Sequence, residues 1–137
     1  MSLERPLPEL NGFAEAFWKG ASEGALLIQK CRACEHFQHY ARPFCLRCDS
    51  EDLEMVRSSG RGTILSYTVV HRTPYTDIAT PYVVALIRLD ENVTILSHIV
   101  EADFGRISCD KRVTVMFQPF RESVRLPAFT LEGQAAP

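Results

Sequence analysis

Hydrophobic and polar residues alternate along the second half of the chain, from about residue 57 to residue 131. A period of two is typical of β-strands with one buried face. Loops, and no long helical pattern, separate the runs, which favours a small antiparallel barrel or sandwich. Gly60 and Gly62 open the first run and suit a strand that bends sharply to close a barrel. The pattern predicts a mainly β protein with a five-stranded OB-fold barrel, built from the runs GRGTILSYTVVHR, PYVVALIRLDE, VTILSHIVE, RVTVMFQPF and SVRLPAFTLE.

The second run is apolar on both faces. Val83, Ala85, Ile87 and Leu89 share one face, and Leu86 belongs to the other. A strand of this kind is expected to be covered on both sides, here by a helix or by a partner. The segment ADFGRISCD, between the third and fourth runs, leaves room for only one turn of helix.

The first 24 residues switch to a helical period. After two prolines, Asn11 is placed to cap a short amphipathic helix, and Gly24 is placed to end it. Phe13 and Phe17 recur at helical spacing with Trp18 beside them, so the helix has a very aromatic face. This face either packs on its own domain or docks on another protein, because aromatic residues are enriched in the cores of interfaces.

Four of the five cysteines form two CxxC pairs between the helix and the predicted barrel. ALLIQK reads as a strand that leads into the first pair, FQHYA as the returning strand, and the acidic stretch DSEDLE closes the zone. Ten residues separate the pairs, enough for two short strands and a reversal. This spacing is typical of a tetrahedral metal site, with Zn²⁺ or iron held by the same ligands. The predicted ligands are Cys31, Cys34, Cys45 and Cys48.

Four thiolates close the coordination shell and leave no position for water or substrate, so the predicted metal is structural. It would substitute for a core that some thirty residues cannot build alone. His36 and His39 lie inside the motif and are expected to be strand or loop residues. Two disulfides are the alternative, but paired cysteines bind metal more often in a reducing compartment. The chain opens with no basic segment followed by an apolar one, so the expected compartment is the cytoplasm.

Composition excludes some functions. The 137 residues carry a net charge of −2 and show no run of basic residues, which argues against non-specific nucleic-acid binding. No apolar run approaches the length of a membrane span. The sequence contains no P-loop, GxGxxG, GxSxG or HExxH motif. No catalytic residue is therefore predicted.

Several isolated residues are candidates for chemistry. Cys109 lacks a recognisable partner and is expected to be a small buried hydrophobe. His98 is expected to end a strand or line its polar face. His71 lies where the first barrel strand meets the loop RTPYTDIATP, which carries Asp77, and OB-folds bind ligands on this side. A His–Asp pair is conceivable there, but two polar residues on a loop are usually solvated.

The order of these features resembles the DUF35 family of acyl-CoA-associated proteins. The resemblance rests on FWKGASEGALLIQKC, the four-cysteine ribbon, GRGTILSYTVVHR and PYVVALIRLDE, and it extends from about Phe13 to Phe129. It implies a rubredoxin-like zinc ribbon followed by an OB-fold. The expected organisation is a helical segment at 1–24, a ribbon at 25–56, an OB-fold at 57–131 and a flexible tail at 132–137.

The resemblance also implies a non-catalytic subunit that accompanies a thiolase-fold enzyme or a MaoC-like enoyl-CoA hydratase. The helix would dock the partner through Phe13, Phe17 and Trp18, and the barrel would help to form or cover a shared acyl-CoA site. Arginines near the barrel mouth are the candidates for contacts with CoA phosphates, namely Arg61, Arg72, Arg88 and Arg121. The alternatives are a free-standing acyl-CoA-binding protein and a single-stranded nucleic-acid-binding OB module.

Overall fold

A computed structural model describes residues 3–133. The N-terminal segment passes through a 3₁₀ turn, Gly12–Ala14, into helix α1, Glu15–Ser22. Asn11 precedes the 3₁₀ turn and makes no side-chain capping bond, so the prediction that it caps the α-helix is wrong. Helix α1 begins instead at Glu15, a carboxylate that favours the helix dipole in the first turn. No helix in this described part is long and apolar enough to span a membrane.

The ribbon is a three-stranded antiparallel sheet. Its strands are β1, Leu27–Cys31; β2, Phe37–Gln38; and β3, Leu53–Arg57, in the order β2-β1-β3. Strand β3 pairs with β1 over five residues, although the sequence indicated only an acidic closing stretch there. Charged residues interrupt the apolar pattern of this strand, so the sequence does not indicate it. Glu54, for example, turns to the surface and pairs with Arg32. The returning strand, in contrast, is shorter than predicted.

Five strands form the closed barrel. They are β4, Arg61–Val70; β5, Tyr82–Leu89; β6, Thr94–Ile99; β7, Arg112–Pro119; and β8, Arg125–Leu131. The order around the barrel is β4-β5-β6-β8-β7, with a single parallel contact between β6 and β8. This is the OB-fold order, and all five predicted strands are confirmed. The connection between β6 and β7 holds one 3₁₀ turn, Phe104–Arg106, as expected.

Both glycines at the start of β4 are required by its path. Gly60 has a φ of +76°, and a Cβ on Gly62 would lie 2.6 Å from the backbone oxygen of Arg88. Only glycine allows the two strands to approach so closely. The strand then contains an irregularity between Ile64 and Ser66, which adds to its bend.

One hydrophobic core serves the ribbon and the barrel. Leu26 and Ile28 of the ribbon region belong to the same buried cluster as Ile64, Ile87 and Phe129 of the barrel. A short connection from Arg57 to Arg61 joins the two parts, and Glu91 fixes it by accepting hydrogen bonds from the Ser58 hydroxyl and the Ser59 amide. The predicted boundaries at residues 24, 56 and 131 remain predictions, and residues 134–137 of the predicted tail lie outside the described part.

The two faces of β5 differ. The predicted inner face is confirmed, since Val83, Ala85, Ile87 and Leu89 are all at most 1% exposed. Leu86, on the outer face, is 40% exposed, and its cross-strand partner Leu96 is 56% exposed. The helix of this chain therefore does not cover the outer face.

Candidate metal centre and junction groove

The two CxxC pairs form equivalent turns. After the first cysteine of each pair the chain reverses, and the amide four residues on, Glu35 or Asp49, donates to the carbonyl oxygen of Cys31 or Cys45. Both of these residues take a left-handed conformation, with φ values of 65° and 66°. Backbone amides also point at sulfur, since the Cys34 amide donates to Cys31 Sγ over 3.5 Å.

The four sulfur atoms form one compact cluster. All lie within 4.8 Å of one another. Cys31 Sγ lies 3.6 Å from Cys48 Sγ, and Cys34 Sγ lies 3.6 Å from Cys45 Sγ. A tetrahedron with Zn–S bonds of about 2.3 Å has sulfur atoms about 3.8 Å apart, so the residues present fit a metal ion. A four-cysteine metal-binding site is therefore present, as the spacing predicted.

Of the four thiols, the surroundings favour the thiolate form of Cys31. The amide of Cys34 lowers the pKa of the Cys31 thiol to about 7, because the hydrogen bond stabilises the thiolate. Cys31 and Cys45 are buried and Cys48 is exposed, so the site lies at the edge of the ribbon. A bound metal would be held by Cys31, Cys34, Cys45 and Cys48, and it would supply cross-links between the two turns.

Two buried glutamines support the second turn. Gln38 Nε2 donates to Gln29 Oε1 over 2.6 Å and to the carbonyl oxygen of Phe44 over 3.1 Å. Gln38 Oε1 accepts from the amide of Leu46, the residue after Cys45. Gln29 in turn binds the amide and the carbonyl of Arg42. The sequence does not indicate this role, because a glutamine in a short strand is usually a surface residue.

The two histidines of the motif are not part of the sulfur cluster. The His39 ring packs 5.3 Å from Phe17 and 4.2 Å from Tyr40, measured between ring centroids. Burial lowers the pKa of His39 to about 4, so its imidazole is neutral at pH 7. The prediction that it is a strand or loop residue agrees with this packing against the helix.

The three predicted docking aromatics have different environments. Phe13 is 59% exposed. Phe17 is half-buried, packs against the common core and meets Trp18 edge-on at 5.0 Å. Docking by all three stays a prediction, and of the three only Phe13 is more than half exposed.

An apolar groove, here called the junction groove, lies where helix, ribbon and barrel meet. Its cavity of about 260 Å³ is lined by Phe17, Trp18, His39, Tyr40, Ile95, Leu96, Ser97, His98, Gln118, Leu126 and Pro127. A second and more enclosed cavity of about 150 Å³ adjoins it and shares Phe17, Trp18, His39 and Tyr40. The second cavity extends between helix and ribbon to Leu27, Ile28 and Met55. No sequence pattern indicates the groove, because its residues come from three separate parts of the chain.

The four predicted CoA-contacting arginines do not form one cluster. Arg61 begins β4 and Arg72 follows its end, so the length of this strand, about 30 Å, separates them. Arg61 pairs with Glu132, and Arg121 pairs with Asp77 at 3.0 Å. Arg72 and Arg88 are exposed. A contact of any of the four with CoA remains a prediction.

The structure also shows the environments of the other residues considered for chemistry. Cys109 is exposed, so the expectation that it is a buried hydrophobe is wrong. Asp77 binds Arg5 and Arg121. His98 lies on β6, half-buried, with its ring 5.2 Å from that of Tyr82, and burial lowers its pKa.

A closed five-stranded OB barrel joined to a four-cysteine ribbon defines a class of two-part ribbon and OB-fold proteins. Comparison with known families agrees: residues 18–54 match the rubredoxin-like zinc ribbon domain of ChsH2, and residues 55–118 match its C-terminal OB-fold domain. The chain belongs to the DUF35 family, as the resemblance indicated.

Relatives carry three kinds of name. A DUF35 domain-containing scaffold protein of Methanothermobacter thermautotrophicus is 37% identical over 68% of this chain and 71% of the relative. A probable enoyl-CoA hydratase alpha subunit of Thermomonospora curvata is 33% identical over 91% of this chain, which spans only 39% of that relative. The benzoylsuccinyl-CoA thiolase subunit BbsA of Geobacter metallireducens is 29% identical over 83% of this chain and 78% of the relative.

Among solved structures, one described as an Ltp2-ChsH2(DUF35) aldolase superposes with a TM-score of 0.84. The two chains are 30% identical, and the match covers 91% of this chain and 98% of the other. The agreement extends over ribbon and barrel together, so their combination is a property of the family.

Proposed function

We propose that this protein is a non-catalytic accessory subunit of an acyl-CoA-processing enzyme, either a thiolase-fold enzyme or a MaoC-like hydratase. The observation that carries the proposal is the match to a scaffold protein over 68% of this chain and to a chain of an Ltp2-ChsH2(DUF35) aldolase over 91% of it. The names of the hydratase and thiolase subunits support the same class of partner.

The chemistry of the described residues supports a partner role. The four cysteines form a closed ligand set, which provides no open position for a reacting group. Large apolar side chains remain exposed on the helix, the ribbon and the barrel, with Phe13, Tyr40 and Leu96 each more than half exposed. Exposed apolar groups of this size are typical of surfaces that bind another protein.

Co-purification of the untagged partner tests the proposal. The chain would be co-expressed with the enzyme encoded beside it, and a thiolase-like or hydratase-like neighbour should elute with it as one complex. Phe13→Ser should weaken the complex at least about tenfold if helix α1 docks the partner, since the change removes an exposed anchor. Phe104→Ser, at a 39% exposed phenylalanine on the 3₁₀ turn after β6, is the matched control. A neighbour that is soluble, active and monodisperse without this chain would contradict the proposal.

Zn²⁺ is the proposed metal, because a closed set of four thiolates with tetrahedral spacing suits it. Iron would use the same ligands. Elemental analysis of the purified protein should find about one zinc per chain. A red protein with thiolate-to-iron absorption bands and one iron per chain would contradict the assignment of zinc.

Acyl-CoA at a site shared with the partner is the finer part of the proposal. If the exposed arginines contact CoA phosphates, Arg72→Ala or Arg88→Ala should raise the KM of the assembled complex for acyl-CoA severalfold and leave kcat unchanged. Arg47→Ala, at an exposed arginine in the second cysteine turn, is the control. An unchanged KM in both variants would remove these two residues from the site.

Two other functions are less well supported. A nucleic-acid-binding module would need a cluster of basic groups, but the net charge is −2, and five arginines are paired with carboxylates, namely Arg5, Arg32, Arg61, Arg112 and Arg121. Fluorescence anisotropy should show no binding of a single-stranded oligonucleotide at low salt. A free-standing acyl-CoA-binding protein would bind its ligand with the same affinity with and without a partner. Comparing the acyl-CoA affinity of the chain purified alone with that of the co-expressed complex tests this.

A further inference from the structure

We infer that the barrel carries a docking site for an extended peptide segment with an arginine, and that the N-terminal segment of this chain occupies the site as a displaceable strap. The strap is residues 3–10. It crosses the loop between β4 and β5, residues 71–81, and the loop between β7 and β8, residues 120–124. In OB-folds the corresponding two loops bind ligands. Neither the strap contacts nor their test involves the proposed partner enzyme.

The loop between β4 and β5 holds the strap through two neighbouring residues. The amide and the hydroxyl of Thr76 both donate to the carbonyl oxygen of Leu3, over 2.8 and 3.3 Å. The Asp77 carboxylate accepts from the amide of Arg5 and from Arg5 Nε, each over 3.2 Å. The Arg5 guanidinium also donates to the carbonyl oxygen of Asp77 over 3.3 Å. The backbone contacts fit any extended segment, whereas the guanidinium contacts require a particular side chain.

The side chain of Arg5 lies between a carboxylate and an aromatic ring. Its Cζ atom is 5.0 Å from the centroid of the Phe120 ring, and its Nε binds Asp77. The side chains of Arg5 and Asp77 are only 25% and 20% exposed, so water screens this pair less than an ordinary surface pair. A planar guanidinium can meet the ring and the carboxylate together, and a lysine ammonium cannot. The site therefore selects arginine.

The rest of the strap is held weakly. Its three leucines, Leu3, Leu7 and Leu10, are 51%, 37% and 48% exposed, so the strap buries little apolar surface. Residues 3–10 form no helix or strand, and the two prolines among them have no N–H to donate. Segments with few buried apolar contacts open at a low cost in free energy. Attachment of the strap therefore depends on its polar contacts with the two loops.

The docking site has a partner of its own when the strap leaves. Arg121 donates to Asp77 Oδ2 over 3.0 Å, and its Cζ atom lies 4.4 Å from the centroid of the Phe120 ring. The two loops therefore remain connected without the strap, although Arg121 would lose its contacts with Glu4 and with the carbonyl oxygen of Arg5. A partner segment with an arginine two residues after a free carbonyl group would replace the strap on the same atoms.

Hydrogen exchange of the Thr76 amide measures docking of the strap, because this amide donates to the carbonyl oxygen of Leu3. The exchange would be followed by NMR on the full, metal-loaded chain. Arg5→Ala should speed exchange of the Thr76 amide at least about tenfold, since it removes charge-assisted hydrogen bonds to Asp77. Glu9→Ala is the matched control, because it removes an exposed charge of the same strap that makes none of these contacts.

A peptide with the sequence of the strap tests recognition by the docking site itself. Acetyl-LERPLPEL-amide, added to the Arg5→Ala chain, should shift the amide signals of Thr76 and Asp77 in a saturable manner and slow exchange of the Thr76 amide. The same peptide with lysine in place of its arginine should bind at least about tenfold more weakly. Asp77→Asn, combined with Arg5→Ala, should remove most of the difference between the two peptides, because the carboxylate no longer attracts the guanidinium.

The unchanged chain provides the competition experiment. Its own strap is tethered to the site, so it should bind the arginine peptide at least about tenfold more weakly than the Arg5→Ala chain does. Equal binding by the two chains would show that the strap does not occupy the site. Unchanged exchange of the Thr76 amide in Arg5→Ala, or equal acceleration in Glu9→Ala, would also overturn the inference. So would equal affinity for the two peptides, or no binding of either up to millimolar concentration. None of these outcomes affects the co-purification test of the proposed function.

Discussion

At the scale of single residues, Gln38 connects three groups of the ribbon. Its side-chain amide binds Gln29, the carbonyl of Phe44 and the amide of Leu46, and the residue is 5% exposed. The turn that carries Cys45 is therefore held by side chains, in addition to any metal that its thiolate binds. Cysteine spacing predicts the ligands, but it contains no information on this support.

Gln38→Ala should destabilise the protein by about 1–2 kcal/mol, because it removes the partners of the part-buried Phe44 carbonyl and Leu46 amide and empties a buried position. Urea unfolding of the metal-loaded protein at pH 7.5 measures this. Gln118→Ala, at a half-buried glutamine on β7, should change the free energy of unfolding by no more than about 0.5 kcal/mol. Equal effects of the two substitutions would show that the glutamine network does not support the ribbon.

His39 makes stability depend on pH. Its pKa is about 4 in the folded protein and about 6.5 in the unfolded chain, so the unfolded chain binds the proton first. Its contribution is present above pH 6.5 and is lost as the pH falls from 6.5 toward 4. Between pH 7.5 and pH 5 we expect a loss of about 1–2 kcal/mol in the free energy of unfolding.

His39→Phe isolates this contribution. The variant keeps a ring against Phe17 but has no group that titrates, so its free energy of unfolding should fall less over the same pH range. Acid also weakens metal binding by the thiolates, but this affects both proteins, and the difference between them reports His39. Parallel curves for the two proteins would contradict a buried neutral imidazole.

At the scale of elements, the start of β4 shows what a strand needs besides a hydrophobic pattern. Gly62 lies where β5 approaches most closely, and a Cβ would meet backbone oxygen and carbon of Arg88 at 2.6 and 3.1 Å. The alternating pattern predicted the strand, and its paired glycines predicted the bend. The atom that forbids a side chain there belongs to another strand, and only the folded structure identifies it.

Gly62→Ala should destabilise the protein by about 1–3 kcal/mol, because the clash with backbone atoms is not relieved by rotating a side chain. Gly105→Ala is the control, since its new Cβ would meet only Asp103 Oδ1 at 3.6 Å. Thermal unfolding of the two variants, followed by circular dichroism, provides the comparison. If the Gly62→Ala protein were as stable as the control, β4 and β5 would be able to move slightly apart with no loss in the free energy of unfolding.

The elements also show where sequence reading succeeds and where it does not. The five barrel strands were predicted because their inner residues, such as Val83 and Ile87, alternate with outer ones. Strand β3 was missed because Glu54 and Arg57 interrupt the apolar pattern, although backbone pairing with β1 stabilises it. The junction groove was missed for a different reason, since Trp18, His39 and Leu96 are distant in sequence and meet only through the common core.

Ion pairs connect residues at the ends of four barrel strands. Arg112 binds both carboxylate oxygens of Asp90, at 2.7 and 2.9 Å, and Arg61 binds Glu132. Arg112 holds the pKa of Asp90 below its ordinary value, and Arg61 does the same for Glu132. These side chains are exposed to solvent, which screens their charges, so each pair contributes little to stability. The network orients the strand ends, while the buried cluster provides most of the stability.

At the scale of the whole molecule, the position of Leu26 and Ile28 makes the ribbon and the barrel depend on each other. Both residues belong to the segment that leads into Cys31, yet they are buried among barrel residues that include Ile64 and Phe129. A bound metal would fix the Cys31 end of this segment, and the barrel core holds its middle. A protein built in this way holds helix, ribbon and barrel in one fixed arrangement.

Removal of the metal should therefore loosen the barrel as well as the ribbon. We expect that chelation under reducing conditions abolishes hydrogen-exchange protection of β1, β2 and β3, because four unlinked thiols no longer hold the two turns together. Protection of the barrel should persist at a lower level, since Leu26 and Ile28 leave its core. Re-addition of zinc should restore both, and Cys45→Ser should reproduce the metal-free pattern. Cys109→Ser, at the exposed cysteine outside the cluster, should behave as the unchanged protein. If the barrel keeps full protection without metal, the two parts fold independently, and the common core does not couple them.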